Sequence, residues 1–212
     1  MKGRIGGLYA ITPEEMRTEI LIGKVSRALA GGAAVVQYRN KAAAAELRRE
    51  QGRALCTLCR RAGVPFVVND DLMLALELDA DGVHLGSEDG SLGQARQALG
   101  PGKLLGASCY DRVELALAAA RSGADYVAFG SVFGSATKPG AVRAPPGIFA
   151  LAKMQVALPL VAIGGITLQN AGDVYDAGAD AVAVISALFD SADIAASAAG
   201  FTRIHQQQQM QQ

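Results

Sequence analysis

The sequence predicts an α/β protein, a single (β/α)8 barrel over residues 1–204 followed by a disordered Gln-rich tail over 205–212. Three observations predict it. Short apolar, β-branched runs alternate with segments of helical periodicity along the 212 residues, and strict alternation implies a parallel sheet with helices outside it. The alternation runs through eight strands, enough to close a barrel near the short end of the usual length. A helix-to-strand turn also repeats, as Gly32-Ala33-Ala34, Asp79-Ala80-Asp81, Gly123-Ala124-Asp125 and Gly178-Ala179-Asp180. Its central alanines lie 47, 44 and 55 residues apart, so each interval covers two strand–helix units. An open doubly wound sheet is the alternative, but no reversal of strand order is evident.

The elements follow in order. Gly7 to Ile11 is a first strand, and Thr12-Pro13-Glu14-Glu15 reads as a capped helix start, with proline at the first helical position. Gly31-Gly32 ends that helix. Ala34 to Arg39 is the second strand, and Ala42 to Arg61 a helix stopped by Gly63. The strand from Val64 is apolar until Asn69-Asp70-Asp71, and a short helix follows from Leu72 to Leu78. Gly82 to Leu85 is the fourth strand. Ser91 caps a helix through Leu99. Leu104 to Ser108 is the fifth strand, and Asp111 caps the helix after it. Tyr126 to Gly130 is the sixth strand, trailed by an irregular stretch to about Pro146. Leu160 to Ile163 is the seventh, ended by Gly164-Gly165. Ala181 to Ile185 is the eighth, and a last helix runs toward Ile204. Gln206 to Gln212 offers little to pack.

Composition narrows the function. Half of the residues are hydrophobic, formal net charge is zero, and Trp is absent. That balance argues against nucleic acid or an anionic membrane surface as the main partner. No apolar run reaches the roughly 18 residues of a membrane span. The N-terminus lacks the apolar segment of a secretory signal, and three cysteines suit a reduced cytoplasm. Cys56 and Cys59 form C-x-x-C inside a helix, where two packed thiols are the simpler reading.

The chemistry gathers at the strand ends, which a barrel brings into one ring. The second strand ends in Gln37, Arg39, Asn40 and Lys41. The third ends in Asn69, Asp70 and Asp71. Glu88 and Asp89 follow the fourth, and Ser108 ends the fifth. Ser135, Thr137 and Lys138 lie in the loop after the sixth. Gly164-Gly165-Ile166 ends the seventh, and Ile185-Ser186 the eighth. Arg39, Lys41 and Lys138 are cations suited to a polyanion such as diphosphate. Asp70 and Asp89 are carboxylates suited to Mg2+, which takes one or two carboxylates and completes its shell with water and phosphate. The turns after the last two strands suit a second phosphate. Plainer readings exist for each. Asp70 or Asp71 caps a helix, the cations are solvated, and His84 is a hydrogen-bonded structural histidine.

Taken together, Gln37-Tyr38-Arg39-Asn40-Lys41, Asn69-Asp70-Asp71, Gly82 to Asp89, Ser135-Ala136-Thr137-Lys138, Ala162 to Ile166 and Val184 to Ala187 resemble, in order, the motifs of the thiamine phosphate synthase family. The resemblance runs from Leu8 to about Phe189. It implies a TIM barrel and a transferase joining a hydroxymethylpyrimidine diphosphate to a hydroxyethylthiazole phosphate by dissociative substitution. It implies Mg2+ on Asp70 and Asp89. The pyrimidine diphosphate would be held by Gln37, Tyr38, Arg39, Asn40, Lys41, Asn69, Ser108 and Lys138. Of these, Arg39, Lys41, Ser108 and Lys138 would be catalytic. Ser135, Ala136, Thr137, Gly165, Ile185 and Ser186 would hold the thiazole phosphate. A homo-oligomer is compatible with the pattern. Some positions depart from it: Tyr38 replaces a leucine, Asn40 a glutamate, Ser87 a glutamine, Gly134 a proline and Tyr110 a frequent histidine, while Ser135 replaces a threonine and keeps its hydroxyl. Two other functions fit the scaffold. A thiazole tautomerase-like isomerase would lack the acidic pair, and a non-catalytic thiamine-precursor binding protein would have no need of the cations.

Overall fold

A computed structural model describes residues 5–134 and 142–210. Its strands are β1 (Gly7–Ile11), β2 (Val35–Tyr38), β3 (Phe66–Asn69), β4 (Gly82–Leu85), β5 (Leu104–Tyr110), β6 (Tyr126–Phe129), β7 (Leu160–Ile163) and β8 (Ala181–Val184). All pair in parallel in sequence order, and β8 closes on β1 with Gly7 opposite Ala181 and Ala10 opposite Val184. The expected barrel is therefore formed. Its helices are α1 (Thr18–Ala30), α2 (Ala45–Ala62), α3 (Leu72–Glu77), α4 (Leu92–Leu99), α5 (Val113–Arg121), α6 (Gly147–Lys153), α7 (Ala171–Asp176), α8 (Ser186–Phe189) and α9 (Ile194–Gln209). No helix among the described residues is long and apolar enough to cross a membrane.

Side chains alternate along each strand, and the alternation divides the core in two. Leu8, Ala10, Val36, Tyr38, Phe66 and Val68 pack outward against the helices. Tyr9, Ile11, Val35, Val67, Leu104, Tyr126 and Val161 fill the barrel interior.

The repeated turn has a mechanical purpose. Asp81, Asp125 and Asp180 each sit just before an even-numbered strand. Their carboxylates accept the backbone N–H of Phe66 (2.9 Å), Leu105 (2.8 Å) and Leu160 (2.7 Å) on the neighbouring strand. Arg96 pairs with Asp125, and Lys153 lies 2.6 Å from Asp180. This end of a barrel stabilises the fold, leaving the other end to function.

Four local expectations are corrected. Thr12 does not cap α1. Its hydroxyl accepts the Arg39 N–H at 2.9 Å and lies 3.1 Å from the Arg39 carbonyl, so it ties the end of β1 to that of β2, and α1 starts at Thr18. Asp111 does not cap α5, whose N-cap is Arg112, without a side-chain cap. The last helical segment is two helices, α8 and α9. Residues 205–209, expected in the disordered tail, continue α9. Glutamine forms helix well, and once Phe201 and Ile204 dock the helix each further residue adds a hydrogen bond. Ser91 caps α4 and Gly63 ends α2 in a left-handed conformation, both as expected. Cys56 and Cys59 are buried free thiols on α2, and burial pushes both above the ordinary thiol range.

Candidate active site

The carboxyl ends of the strands surround a cavity of about 640 Å³. Gln37, Arg39, Lys41, Asn69, Asp70, Asp89, Ser108, Gly165, Ile185 and Ser186 all line it. Residues from six strands that are far apart in sequence thus meet at one mouth.

Tyr38 and Asn40, expected among the substrate contacts, are not brought to the cavity. Strand alternation sends Tyr38 to the helix side, where its hydroxyl donates to Gln51 Oε1 at 2.9 Å. Asn40 Nδ2 donates to the Glu15 carbonyl at 3.0 Å and to Gln51 Oε1 at 3.1 Å. Tyr38 thus ties β2 to α2, while Asn40 and Gln51 hold the β1–α1 loop through the Glu15 carbonyl. Ser135, Ala136, Thr137 and Lys138 lie outside the described residues. Gly134 and Val142, which flank that segment, both line the cavity.

The charged end is built on β2, β3 and the β4–α4 loop. Lys41 Nζ lies 2.7 Å from Asp70 Oδ2. Asp70 adopts φ 63°, a left-handed conformation that aspartate tolerates better than most residues and that clusters at functional sites. Its N–H donates to the His84 carbonyl at 2.8 Å, which fixes the turn. Asp89 comes from the facing loop and accepts the Gly86 N–H at 2.8 Å. The Asp70 and Asp89 side chains interact with each other. Burial raises Asp70, but the Lys41 ammonium and the interaction with Asp89 outweigh it and hold this carboxyl below its usual range. Burial and the Asp70 charge push Asp89 the other way. Two carboxyls drawn together beside the Lys41 ammonium form a donor set that suits a divalent ion. Asp71, by contrast, is a cap, accepting the Leu74 N–H at 2.9 Å. Arg39 is paired with Glu14 at 3.1 Å.

Two of the departures from the family pattern touch each other. Ser87 Oγ lies 3.0 Å from Tyr110 Oη, and the Ser87 N–H donates to the same phenol at 3.4 Å. Tyr110 adopts φ 54°.

Beneath the mouth runs a buried polar chain that the sequence reading missed in part. Gln37 Nε2 donates to Tyr9 Oη at 2.9 Å, and Tyr9 Oη meets Tyr126 Oη at 2.7 Å. Tyr126 Oη lies 3.2 Å from His84 Nδ1, and His84 Nε2 lies 2.9 Å from Ser108 Oγ. Burial pushes His84 down to about 4, only partly opposed by the Asp70 charge, so the imidazole is neutral. His84 is thus hydrogen-bonded through both ring nitrogens, as the plainer reading held. Tyr9 and Tyr126 were findable, because both occupy inward-facing positions of their strands.

At the opposite rim, Gly165 has φ 62°, and a Cβ there would collide with the Gly134 carbonyl. Only glycine brings the β7 turn this close to the loop after β6.

The cavity lies within the usual small-molecule range, and barrels of this fold work from this end. The class is therefore that of (β/α)8 barrel enzymes acting on small molecules. The sequence profile of the thiamine monophosphate synthase family matches residues 8–188, and the chain belongs to that family. It is a transferase. The thiamine-phosphate synthase of Aromatoleum aromaticum is 55% identical over 93% of this chain and 95% of its own length. That of Thiobacillus denitrificans is 54% identical over 94% of each. Among solved structures, a thiamine phosphate pyrophosphorylase from Pyrococcus furiosus superimposes with a TM-score of 0.86 at 36% identity, covering 95% of this chain and 96% of the other.

Proposed function

We propose that the chain joins 4-amino-2-methyl-5-hydroxymethylpyrimidine diphosphate to 4-methyl-5-(2-phosphooxyethyl)thiazole, giving thiamine phosphate and diphosphate. The bond between the pyrimidine methylene and the diphosphate oxygen breaks, and that carbon bonds the thiazole nitrogen. No proton needs to be removed for this, so no general base is required. The observation that carries the reading is the placement of the Lys41–Asp70–Asp89 cluster and the Gly165 turn on one cavity. The first end suits a diphosphate, and the second a monophosphate.

Arg39, Lys41 and Lys138 take up the charge that develops on the departing diphosphate, a role in which positioned cations act most strongly away from water. Gln37, Asn69 and Ser108 hold the pyrimidine. Ser135 to Thr137, Gly165, Ile185 and Ser186 hold the thiazole phosphate. Asp70 and Asp89 would hold Mg2+, which would supply further positive charge against the diphosphate oxygens. The apolar wall of Ile11, Val161 and Ile163 keeps water from the reacting carbon. The reading places the protein in the cytoplasm, where both substrates are small diffusible phosphates.

The test is a product assay. Purified protein is mixed with both precursors, with Mg2+ or with a chelator, and thiamine phosphate is oxidised to its fluorescent form. Mg2+-dependent product is expected. A folded protein that makes none would overturn the reading.

A further inference from the structure

We propose that Gln37, Tyr9, Tyr126, His84 and Ser108 form a hydrogen-bond chain of fixed direction that holds His84 as the Nε2–H tautomer and makes the Ser108 hydroxyl a donor into the cavity. The chain crosses the barrel interior from β2 through β1, β6 and β4 to β5.

Its direction follows from counting donors. The amide of Gln37 donates to the Tyr9 oxygen. Tyr9 is 1% exposed and Tyr126 is sealed at 0%. If Tyr126 also donated to Tyr9, the Tyr9 oxygen would accept twice and its own proton would have no partner among the described residues. A buried donor left unmade is destabilising. Tyr9 therefore donates to Tyr126, and Tyr126 donates to His84 Nδ1. Nδ1 must then be bare, so the imidazole proton is on Nε2 and goes to Ser108 Oγ. A doubly protonated ring fails the same count, because its Nδ1–H would need the Tyr126 oxygen and would turn the tyrosine pair around. Ser108 Oγ, having accepted from His84, has its own O–H left for the cavity that it lines.

A second observation supports a built chain. Gly106 on β5 faces this pair, and a Cβ there would fall on the Tyr126 phenol and on His84 Nδ1. The strand gives up a side chain where the two rings meet.

The consequence concerns specificity and rests on the reaction proposed above. A Ser108 whose proton is free for the cavity favours a substrate group that accepts, such as a ring nitrogen of the aminopyrimidine. Tyr126 and His84 are then positioning residues that act through Ser108.

The test is nitrogen-15 NMR on protein labelled at histidine. The chain has two histidines, and a His205→Gln variant assigns the other signal. In the ligand-free protein we expect His84 to carry its proton on Nε2 with Nδ1 bare. A proton on Nδ1, or on both, would overturn the proposal without any reference to substrate. Tyr126→Phe removes the donor to Nδ1, so both tautomers should appear. KM for the pyrimidine diphosphate should rise about tenfold while KM for the thiazole phosphate stays fixed. Tyr9→Phe should retain the Nε2–H form, because Tyr126 still donates. A single unchanged tautomer in Tyr126→Phe would also overturn it. The expected tautomer in a protein that makes no thiamine phosphate would instead sink the proposed reaction and leave the chain standing.

Discussion

Asp89 reaches the mouth from a loop, and among the described residues its carboxyl is held by Gly86 and Asp70, with Lys41 nearby. Its replacement therefore removes a metal ligand and little packing. Asp89→Ala is expected to raise the Mg2+ concentration for half-maximal rate at least about tenfold, with an unchanged thermal midpoint. A Mg2+ titration of initial rates checks it, and a superimposable titration would remove Asp89 from the metal site. Lys138 lies outside the described residues, and its charge is what fits it to a leaving group. Lys138→Ala should lower kcat about a hundredfold or more, as loss of a preorganised charge on a leaving group does. Single-turnover rates at saturating substrate measure this, and wild-type turnover would end its leaving-group role. At this scale the sequence was legible where residue type dictates chemistry. Arg39, Lys41, the acidic pair and Ser108 were all readable as residues of the strand ends that line the cavity. Tyr38 and Asn40 were misplaced for a simple reason. A motif read as a contiguous block hides the period of two that sends every second side chain to the other face. Gln37 and Arg39 stand on one face of that alternation, and Tyr38 and Asn40 on the other.

At the scale of elements, the β4–α4 loop is held to β5 by Ser87 and Tyr110. Their hydroxyls lie 3.0 Å apart. Tyr110→Phe removes the shared hydroxyl and loosens the loop that carries Asp89. A loss of about 1 kcal/mol should appear as a roughly fivefold weaker Mg2+ dependence, and adding Ser87→Ala should cost little more. Fully additive effects in a double-mutant cycle would show that the two side chains act separately. Strands and most helix stops were legible, because β-branched runs and glycines report local geometry directly. The start of α1 was not. Thr12 has the right type and spacing for a cap, yet it is spent on Arg39, a partner 27 residues away. Tertiary competition for one hydroxyl leaves no local signal.

At the scale of the whole molecule, the buried histidine couples stability to pH. His84 is held at about 4 in the fold, against 6.5 when exposed. Between those values the unfolded chain binds a proton that the native one refuses, so stability rises with pH across this window and falls as pH drops. The slope from this group is about 1.4 kcal/mol per pH unit at most. Urea midpoints measured from pH 7.5 down to 4.5 should fall more steeply in the wild type than in His84→Gln, and parallel curves would refute the coupling. The barrel itself was legible from the count of strands and the spacing of the repeated turn. The continuation of α9 was not, since a polar run takes its structure from the docked helix before it.

That last helix packs on α1, α7 and β1, and Thr202 Oγ1 lies 3.0 Å from the Gly31 carbonyl. It thus lies over the seam where the first strand meets the eighth. A chain emerging from a ribosome begins with one side of that seam and ends with the other. The most distant partners in sequence must find each other last, which is slow by nature. Until they do, the nascent chain is an open sheet with two unpaired edges, and these invite association with other chains. Messages that end early should therefore yield aggregates and chaperone clients, and no partly active enzyme.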